Sequence, residues 1–148
     1  MLTTSILFVS MLAACGDKSA ATPSPAAESG PKISMDVPEG GKAFVSALTG
    51  AVTKNFEPTD ADGASFMYTD LQFRADGTWA AQGYVEAMDE RMECAESGTW
   101  SVEDVSSKTV ATIAWTVSDT SCVGRDKGAS TRAQVTAGAS GISSALFR

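Results

Sequence analysis

The sequence predicts an all-β fold, a small antiparallel meander that closes into a barrel or a sandwich. From residue 65 onward, about six or seven β-prone runs follow one another with short connections, which is typical of such folds. The Asp76-Gly77 dipeptide lies between two of these runs and is a strong hairpin signal. Strict alternation of apolar residues over residues 111–117 predicts a half-buried strand. Closure of the sheet hides its edges.

The N-terminal segment combines a short apolar run with small residues and a cysteine. Residues 5–12 are largely apolar, and Ala13-Ala14 precede Cys15. An export signal needs an apolar segment of about 7–15 residues and then small residues, whereas a membrane span needs about 20. The pattern resembles the lipobox of bacterial lipoproteins. The resemblance implies that residues 1–14 are a signal peptide and that Cys15 carries acyl chains such as palmitate. A buried helix that contains a cysteine is the alternative.

The residues around this cysteine refine the expected location. Residues 1–14 contain no Lys or Arg, although such signals normally begin with positive charge, so the signal is atypical or the true start lies upstream. In lipoproteins of diderm bacteria, Asp directly after the cysteine favours the inner membrane. Gly16 occupies that place here. The resemblance therefore implies the outer membrane in a diderm, or the outer face of the plasma membrane in a bacterium with one membrane.

Residues 15–41 are predicted to form a lipidated, flexible linker, and residues 42–148 a single folded domain. The linker is rich in Ala, Pro and Ser and has few large apolar side chains, so burial would not offset its ordering entropy. A short helix is predicted over residues 42–53, with an opening β-strand as the alternative because of Gly50. Its apolar face comprises Phe44, Val45, Leu48, Ala51 and Val52. Residues 55–64 are predicted to be a loop.

The strands follow from alternation and from turn residues. Residues 65–75 and 78–87 are predicted to form a hairpin with a two-residue connection at Asp76-Gly77. The apolar parity changes between Tyr68 and Leu71, which predicts a β-bulge near Asp70. Further strands are predicted over residues 98–103, 109–118, 130–136 and 142–147, separated by turns or loops at residues 106–107, 122–129 and 138–141.

Two phrases in these strands resemble lipocalin-like bacterial lipoproteins. They are the F-x-x-D-G-T run that begins at Phe73 and the G-x-W-x-V run that begins at Gly98. The resemblance covers residues 65–118 and implies a lipocalin-like β domain.

Charge and cysteine content restrict the partners. The net charge of −7 and pI of about 4.4 argue against nucleic acid. Seven acids and one base fall in residues 84–104, and Glu86, Glu90 and Glu93 are a candidate partner surface; an ordinary solvated face is the alternative. Lipidation of Cys15 leaves Cys94 and Cys122, which are predicted to form a disulfide worth about 3–4 kcal/mol. Reduced core cysteines or a zinc pair are the alternatives.

The chain contains no histidine, which excludes Ser-His and Cys-His nucleophile pairs and histidine metal sites. The Asp60-Ala61-Asp62-Gly63 segment resembles part of a calcium loop but lacks oxygen ligands at the first and last positions, so no metal or cofactor is predicted. Glu86, Glu93 and Glu96 are the one carboxylate cluster that suits acid-base catalysis, and an ordinary charged loop is the preferred interpretation.

Three tryptophans, Trp79, Trp100 and Trp115, fall on apolar strand faces. They either fill the core or line a pocket for one apolar ligand. The predicted function is that of a non-catalytic, lipid-anchored envelope protein that binds a small apolar ligand or an envelope component. A structural or inhibitory protein that interacts through its acidic surface is the alternative, and a carboxylate-dependent hydrolase is the least favoured.

Overall fold

The computed structural model describes residues 33–58, 65–87 and 90–147. Within these residues, one helix precedes seven strands that pair in chain order, each antiparallel to the next. The fold is a nearly closed meander barrel with one short helix, which confirms the predicted class. The elements are α1 (Gly41–Thr49), β1 (Thr53–Phe56), β2 (Ser65–Phe73), β3 (Thr78–Ala87), β4 (Glu90–Val105), β5 (Val110–Thr120), β6 (Ser130–Gly138) and β7 (Gly141–Phe147).

The barrel is brought together at β1 and β7 by side chains. The Thr53 hydroxyl accepts a hydrogen bond of 2.8 Å from the Ile142 amide, and the rings of Phe56 and Phe147 lie 6.3 Å apart. Gly141 has a φ of +92°, and a Cβ there would overlap the Thr53 hydroxyl. Glycine is therefore required at this position both for its backbone conformation and for the close approach of the two strands.

Helix α1 covers one end of the barrel. Its buried residues Phe44, Val45 and Leu48 belong to the core, and Gly41 lies beside Val105 at the end of β4. The prediction of a helix is confirmed, but the helix ends at Thr49, before the predicted residue 53. Val52 is 37% exposed and lies outside the helix, because the chain turns at Gly50 and then enters β1.

Residues 33–40, which the sequence analysis assigned to the linker, pack against the barrel. Ile33, Met35 and Val37 are partly buried against the core, and the amides of Ser34 and Met35 donate to the carbonyl of Ala75. These three apolar residues alternate with polar residues along an extended segment. The surrounding composition is rich in proline, so this alternation was not recognised as part of the folded domain. The folded unit therefore extends at least to Ile33. The predicted signal peptide and Cys15 lie outside the described residues.

The β2–β3 hairpin forms where predicted, but its connection is longer than the predicted two residues. Arg74 and Thr78 close a loop of residues 75–77, in which Gly77 has a φ of +83° and Asp76 does not have a positive φ. Instead, the Asp76 carboxylate accepts hydrogen bonds from the Thr78 hydroxyl and amide, which lower the pKa of Asp76. The predicted bulge is confirmed, since the register of β2 shifts between Tyr68 and Asp70.

Two other strand boundaries differ from prediction. Asn55 and Phe56 belong to β1 rather than to the predicted loop, of which residues 59–64 lie outside the described structure. Strand β4 begins at Glu90 rather than at residue 98, so the acidic segment that was interpreted as a charged loop is largely strand. Every second residue from Cys94 to Val102 is buried. The segment is rich in acids, so an alternation of apolar and polar residues was not recognised in its sequence.

Candidate functional site

The three tryptophans occupy the interior of the barrel. Trp79, Trp115 and Trp100 are 0%, 2% and 4% exposed. The Trp79 indole N–H donates to the carbonyl of Thr116 at 3.2 Å, and that of Trp100 donates to the carbonyl of Arg74 at 2.9 Å. The Phe73 ring packs edge-on against Trp100 and Trp115, at centroid distances of 5.2 and 5.9 Å. These contacts make the tryptophans the centre of the core.

A shallow groove lies on the outer face of the barrel, between the start of β1 and the adjoining strands β2 and β3. Its volume is about 200 Å³, and no tryptophan lines it. Its lining residues are Val52, Asp70, Gln72, Ala80, Ala81 and Gln82.

The predicted acidic partner surface lies partly on the β3–β4 hairpin. Glu86 and Arg91 face each other across the two strands, as do Tyr84 and Glu93. The Arg91 Nε donates to Glu93 at 2.7 Å, and the Arg91 guanidinium lies 3.7 Å from the centre of the Tyr84 ring. We call these four residues the hairpin face. Glu90 is exposed at the start of β4 but has the opposite strand parity, so it does not belong to this face.

The third acid of the predicted cluster, Glu96, lies inside the barrel. Its side chain is 0% exposed, and both carboxylate oxygens accept hydrogen bonds. The Tyr68 hydroxyl donates to one oxygen at 2.5 Å, and the Thr120 hydroxyl donates to the other at 2.8 Å. Burial, and then the charge of Glu96, raise the pKa of Tyr68, so its hydroxyl stays protonated and remains a donor.

The positive charge beside Glu96 comes from Arg125, in the β5–β6 loop (residues 121–129). The Arg125 side chain is 10% exposed; its Nε donates to one Glu96 oxygen at 3.1 Å and its Nη2 to the other at 3.4 Å. The guanidinium also lies 5.4 Å from the centre of the Phe66 ring. We call Tyr68, Glu96, Thr120 and Arg125 the interior polar cluster.

The β5–β6 loop is held to the barrel beside this cluster. Cys94 and Cys122 are at disulfide distance, as predicted, with their Cα atoms 4.9 Å apart. The Cys122 amide donates to the Thr120 hydroxyl at 3.0 Å, so the cystine and the cluster are directly connected. Lys127 pairs with Asp119 at 2.6 Å, and this hydrogen bond and charge lower the pKa of Asp119.

Glu96 was predicted in a charged loop, but it lies on the inward face of β4. Strand parity separates Glu96, which is on the side of Cys94 and Trp100, from the outward-facing Arg91 and Glu93. That parity was available in the sequence, because Cys94, Glu96 and Trp100 are all an even number of residues apart. No comparable signal connected Arg125 with Glu96.

Reduction of Cys94–Cys122 is expected to lower the thermal midpoint of the protein clearly. The bond closes a loop across β4 and β5, and native disulfides typically contribute about 2–5 kcal/mol to the stability of small domains. Differential scanning calorimetry with and without a dithiol reductant measures the change. The Cys94→Ser/Cys122→Ser variant is the control and should melt like the reduced protein in both buffers. An unchanged midpoint on reduction would contradict a stabilising role.

Within residues 33–58, 65–87 and 90–147, no three His, Cys, Asp or Glu side chains are grouped so that they could hold a metal ion. No helix in that part of the chain is long and apolar enough to cross a membrane. The calcium-like Asp60–Gly63 segment lies outside it.

Comparison with known proteins finds no family model, no curated protein and no solved structure that matches the chain.

Proposed function

We propose that this protein is a non-catalytic, lipid-anchored module of the bacterial envelope that binds another envelope component through the outside of its barrel. The burial of the three tryptophans in the core is the observation that carries the choice of an outer binding surface. A barrel that stores an apolar ligand needs free interior volume. Here Trp79, Trp100 and Trp115 are at most 4% exposed at the centre of the core. This favours the envelope component over the small apolar ligand that the sequence analysis also considered.

The hairpin face is the surface that suits a protein partner best. Tyr and Arg are enriched among residues that dominate binding energy, and here the Arg91 guanidinium lies 3.7 Å from the centre of the Tyr84 ring. Glu86 and Glu93 flank the pair on the same face. A partner surface with exposed hydrogen-bond donors or positive charge would complement these two carboxylates.

Lipidation at Cys15 is supported by the lipobox-like segment described above. Eighteen residue steps separate Cys15 from Ile33, where the described domain begins. An extended chain of that length reaches at most about 60–65 Å. Such a connection would let the barrel reach a partner some distance from the membrane that holds the acyl chains.

Cells grown on radiolabelled palmitate are expected to incorporate label into the protein through Cys15. The Cys15→Ser variant should lose the label, because it lacks the thiol that carries the thioether-linked lipid. Fluorography of the immunoprecipitated protein measures the label. The Cys94→Ser/Cys122→Ser variant provides the control and should remain labelled. An unlabelled wild-type protein would rule out the anchor.

Replacement of the stacked pair, Tyr84→Ala/Arg91→Ala, is expected to reduce capture of an envelope partner about tenfold or more, as for the loss of a binding hot spot. The measurement is crosslinking in intact envelopes followed by quantitative mass spectrometry of the captured protein. Arg132→Ala is the matched control, since Arg132 is also an exposed arginine paired with a glutamate, Glu103, on another part of the barrel. Equal capture by all three proteins would contradict a role of the hairpin face. A lipid retained in native mass spectra would favour the apolar-ligand function instead.

A further inference from the structure

We propose that the interior polar cluster is a recognition site for small guanidinium or amine cations, that Arg125 is its resident occupant, and that the Cys94–Cys122 disulfide keeps this occupant in place. The site lies at the end of the barrel away from α1. Helix α1 packs beside Val105 at the end of β4, whereas Glu96 lies nine residues earlier on the same strand. The proposal concerns the interior of the barrel and is independent of the hairpin face.

The chemistry of the cluster is that of a cation site. Glu96 offers a fully buried carboxylate, and the guanidinium of Arg125 bonds to both of its oxygens. Such two-point contacts between carboxylate and guanidinium are among the strongest hydrogen-bonded pairs in proteins. The Phe66 ring adds an aromatic wall 5.4 Å from the guanidinium carbon. A carboxylate combined with an aromatic face recognises organic cations.

The occupant of this site is carried by a loop, whereas the barrel itself supplies the carboxylate and its aromatic wall. Glu96 and Phe66 lie on β4 and β2, and Tyr68 also lies on β2. Arg125 lies within the β5–β6 loop. The loop is anchored near its two ends by backbone hydrogen bonds, from Ser121 to Ala95 and from Gly128 to Val117. Because Arg125 lies outside the strands, its departure from the cluster would not break a hydrogen bond of the strand ladders.

The disulfide lies where it controls the position of Arg125. Cys94 precedes Glu96 by two residues on the same strand face, and Cys122 precedes Arg125 by three residues. The Thr120 hydroxyl accepts from the Cys122 amide and donates to Glu96, so the cystine, the loop and the carboxylate form one connected unit. Oxidation thus adds a covalent constraint that favours Arg125 over an external cation at Glu96.

Opening of the site follows from reduction by a dithiol. The dithiol supplies two electrons and two protons, the S–S bond between Cys94 and Cys122 breaks, two thiols form, and the reductant becomes a disulfide. The loop then loses its covalent attachment beside Arg125. An external guanidinium or amine can now replace Arg125 on Glu96 without leaving the buried carboxylate uncompensated.

The first test removes the occupant from the full-length, oxidised protein. Arg125→Ala should melt at a lower temperature than the wild type, and ethylguanidinium, which matches the end of the arginine side chain, should raise that midpoint in a saturable manner. Ethylurea is the neutral control of similar shape and should leave the midpoint unchanged. Arg125→Ala/Glu96→Gln lacks the buried negative charge and should not respond to ethylguanidinium. Equal responses to both compounds, or a response in the double variant, would overturn the cation site.

The second test uses the wild type and does not depend on the folding of a variant. Hydrogen exchange of the Arg125 Nε–H, followed by NMR, should become at least tenfold faster on reduction, and faster again with ethylguanidinium but not with ethylurea. The Trp79 indole N–H, which is bonded to Thr116 inside the barrel, is the internal control and should keep its protection. Unchanged exchange of Arg125 on reduction would overturn the role of the disulfide, as would a parallel loss of Trp79 protection, which reports unfolding of the barrel.

Discussion

Arg125→Ala is expected to lower the free energy of unfolding by about 3–5 kcal/mol, because removal of one partner of a buried ion pair leaves the other charge uncompensated. Glu96 is 0% exposed beside Arg125, and water that enters the space vacated by the guanidinium would donate hydrogen bonds but carry no positive charge. The Tyr68 and Thr120 hydroxyls would still donate to the carboxylate, but neither carries a charge. Urea unfolding of the oxidised protein, followed by tryptophan fluorescence, measures the difference.

Two further variants separate this effect from a general loss of an arginine. Arg132→Ala removes an arginine whose side chain is 57% exposed and paired with Glu103, and exposed ion pairs contribute at most about 1 kcal/mol. Glu96→Leu in the Arg125→Ala background should recover part of the loss, since it removes the uncompensated charge. A cost for Arg125→Ala no larger than that for Arg132→Ala would show that the buried pair does not stabilise the fold.

Gly98→Ala is expected to cost about 3 kcal/mol or more, at the upper end of the range for overpacked cores. A Cβ at Gly98 would overlap the carbonyl oxygen of Thr116 on the neighbouring strand and would lie 2.8 Å from the Trp79 indole nitrogen. The backbone of β5 would have to shift, and the hydrogen bond from Trp79 to Thr116 would be lost. Urea unfolding gives the free energy, and the chemical shift of the Trp79 indole proton reports the broken bond.

Gly138→Ala provides the matched control for this substitution. Gly138 is also a strand glycine, at the end of β6, but a Cβ there would meet only ordinary contacts, the nearest being the Ser143 Cβ at 3.5 Å. Substitutions of this kind usually change stability by less than about 1 kcal/mol. Similar costs at Gly98 and Gly138 would mean that the loss arises from glycine replacement in general and not from the close approach of β4 to β5.

The cation site and the hairpin face use different parts of one barrel, and their tests have separate outcomes. Replacement of Tyr84 and Arg91 changes only side chains on the outside of the barrel, whereas the interior cluster is tested by reduction and by a cation probe. If replacement of the hairpin face abolishes partner capture but the interior cluster still responds to ethylguanidinium, the cation site remains supported. If partner capture persists and the interior cluster does not respond to ethylguanidinium, the envelope module remains supported, without a role for the hairpin face.

The amino-acid sequence by itself determined the all-β class, the position of the β2–β3 hairpin and the bulge beside Asp70. These features depend on residues close together in the chain. The pairing of Cys94 with Cys122 was one of three alternatives in the sequence, and the structure decides it by placing the two residues at disulfide distance. Side chains alternate along a strand, so a change of parity between Tyr68 and Leu71 is visible without a structure.

Only the tertiary structure decided which acid is buried and what surrounds it. Glu96 and Arg125 are 29 residues apart, Tyr68 and Glu96 are 28 apart, and the Thr53–Ile142 contact that brings β1 to β7 spans 89 residues. A carboxylate on the inward face of a strand is tolerated only when distant segments supply its hydrogen-bond donors and its counter-charge. Alternation along β4 predicts that the Glu96 side chain points inward. The residues that make its burial possible come together only when the strands close into a barrel.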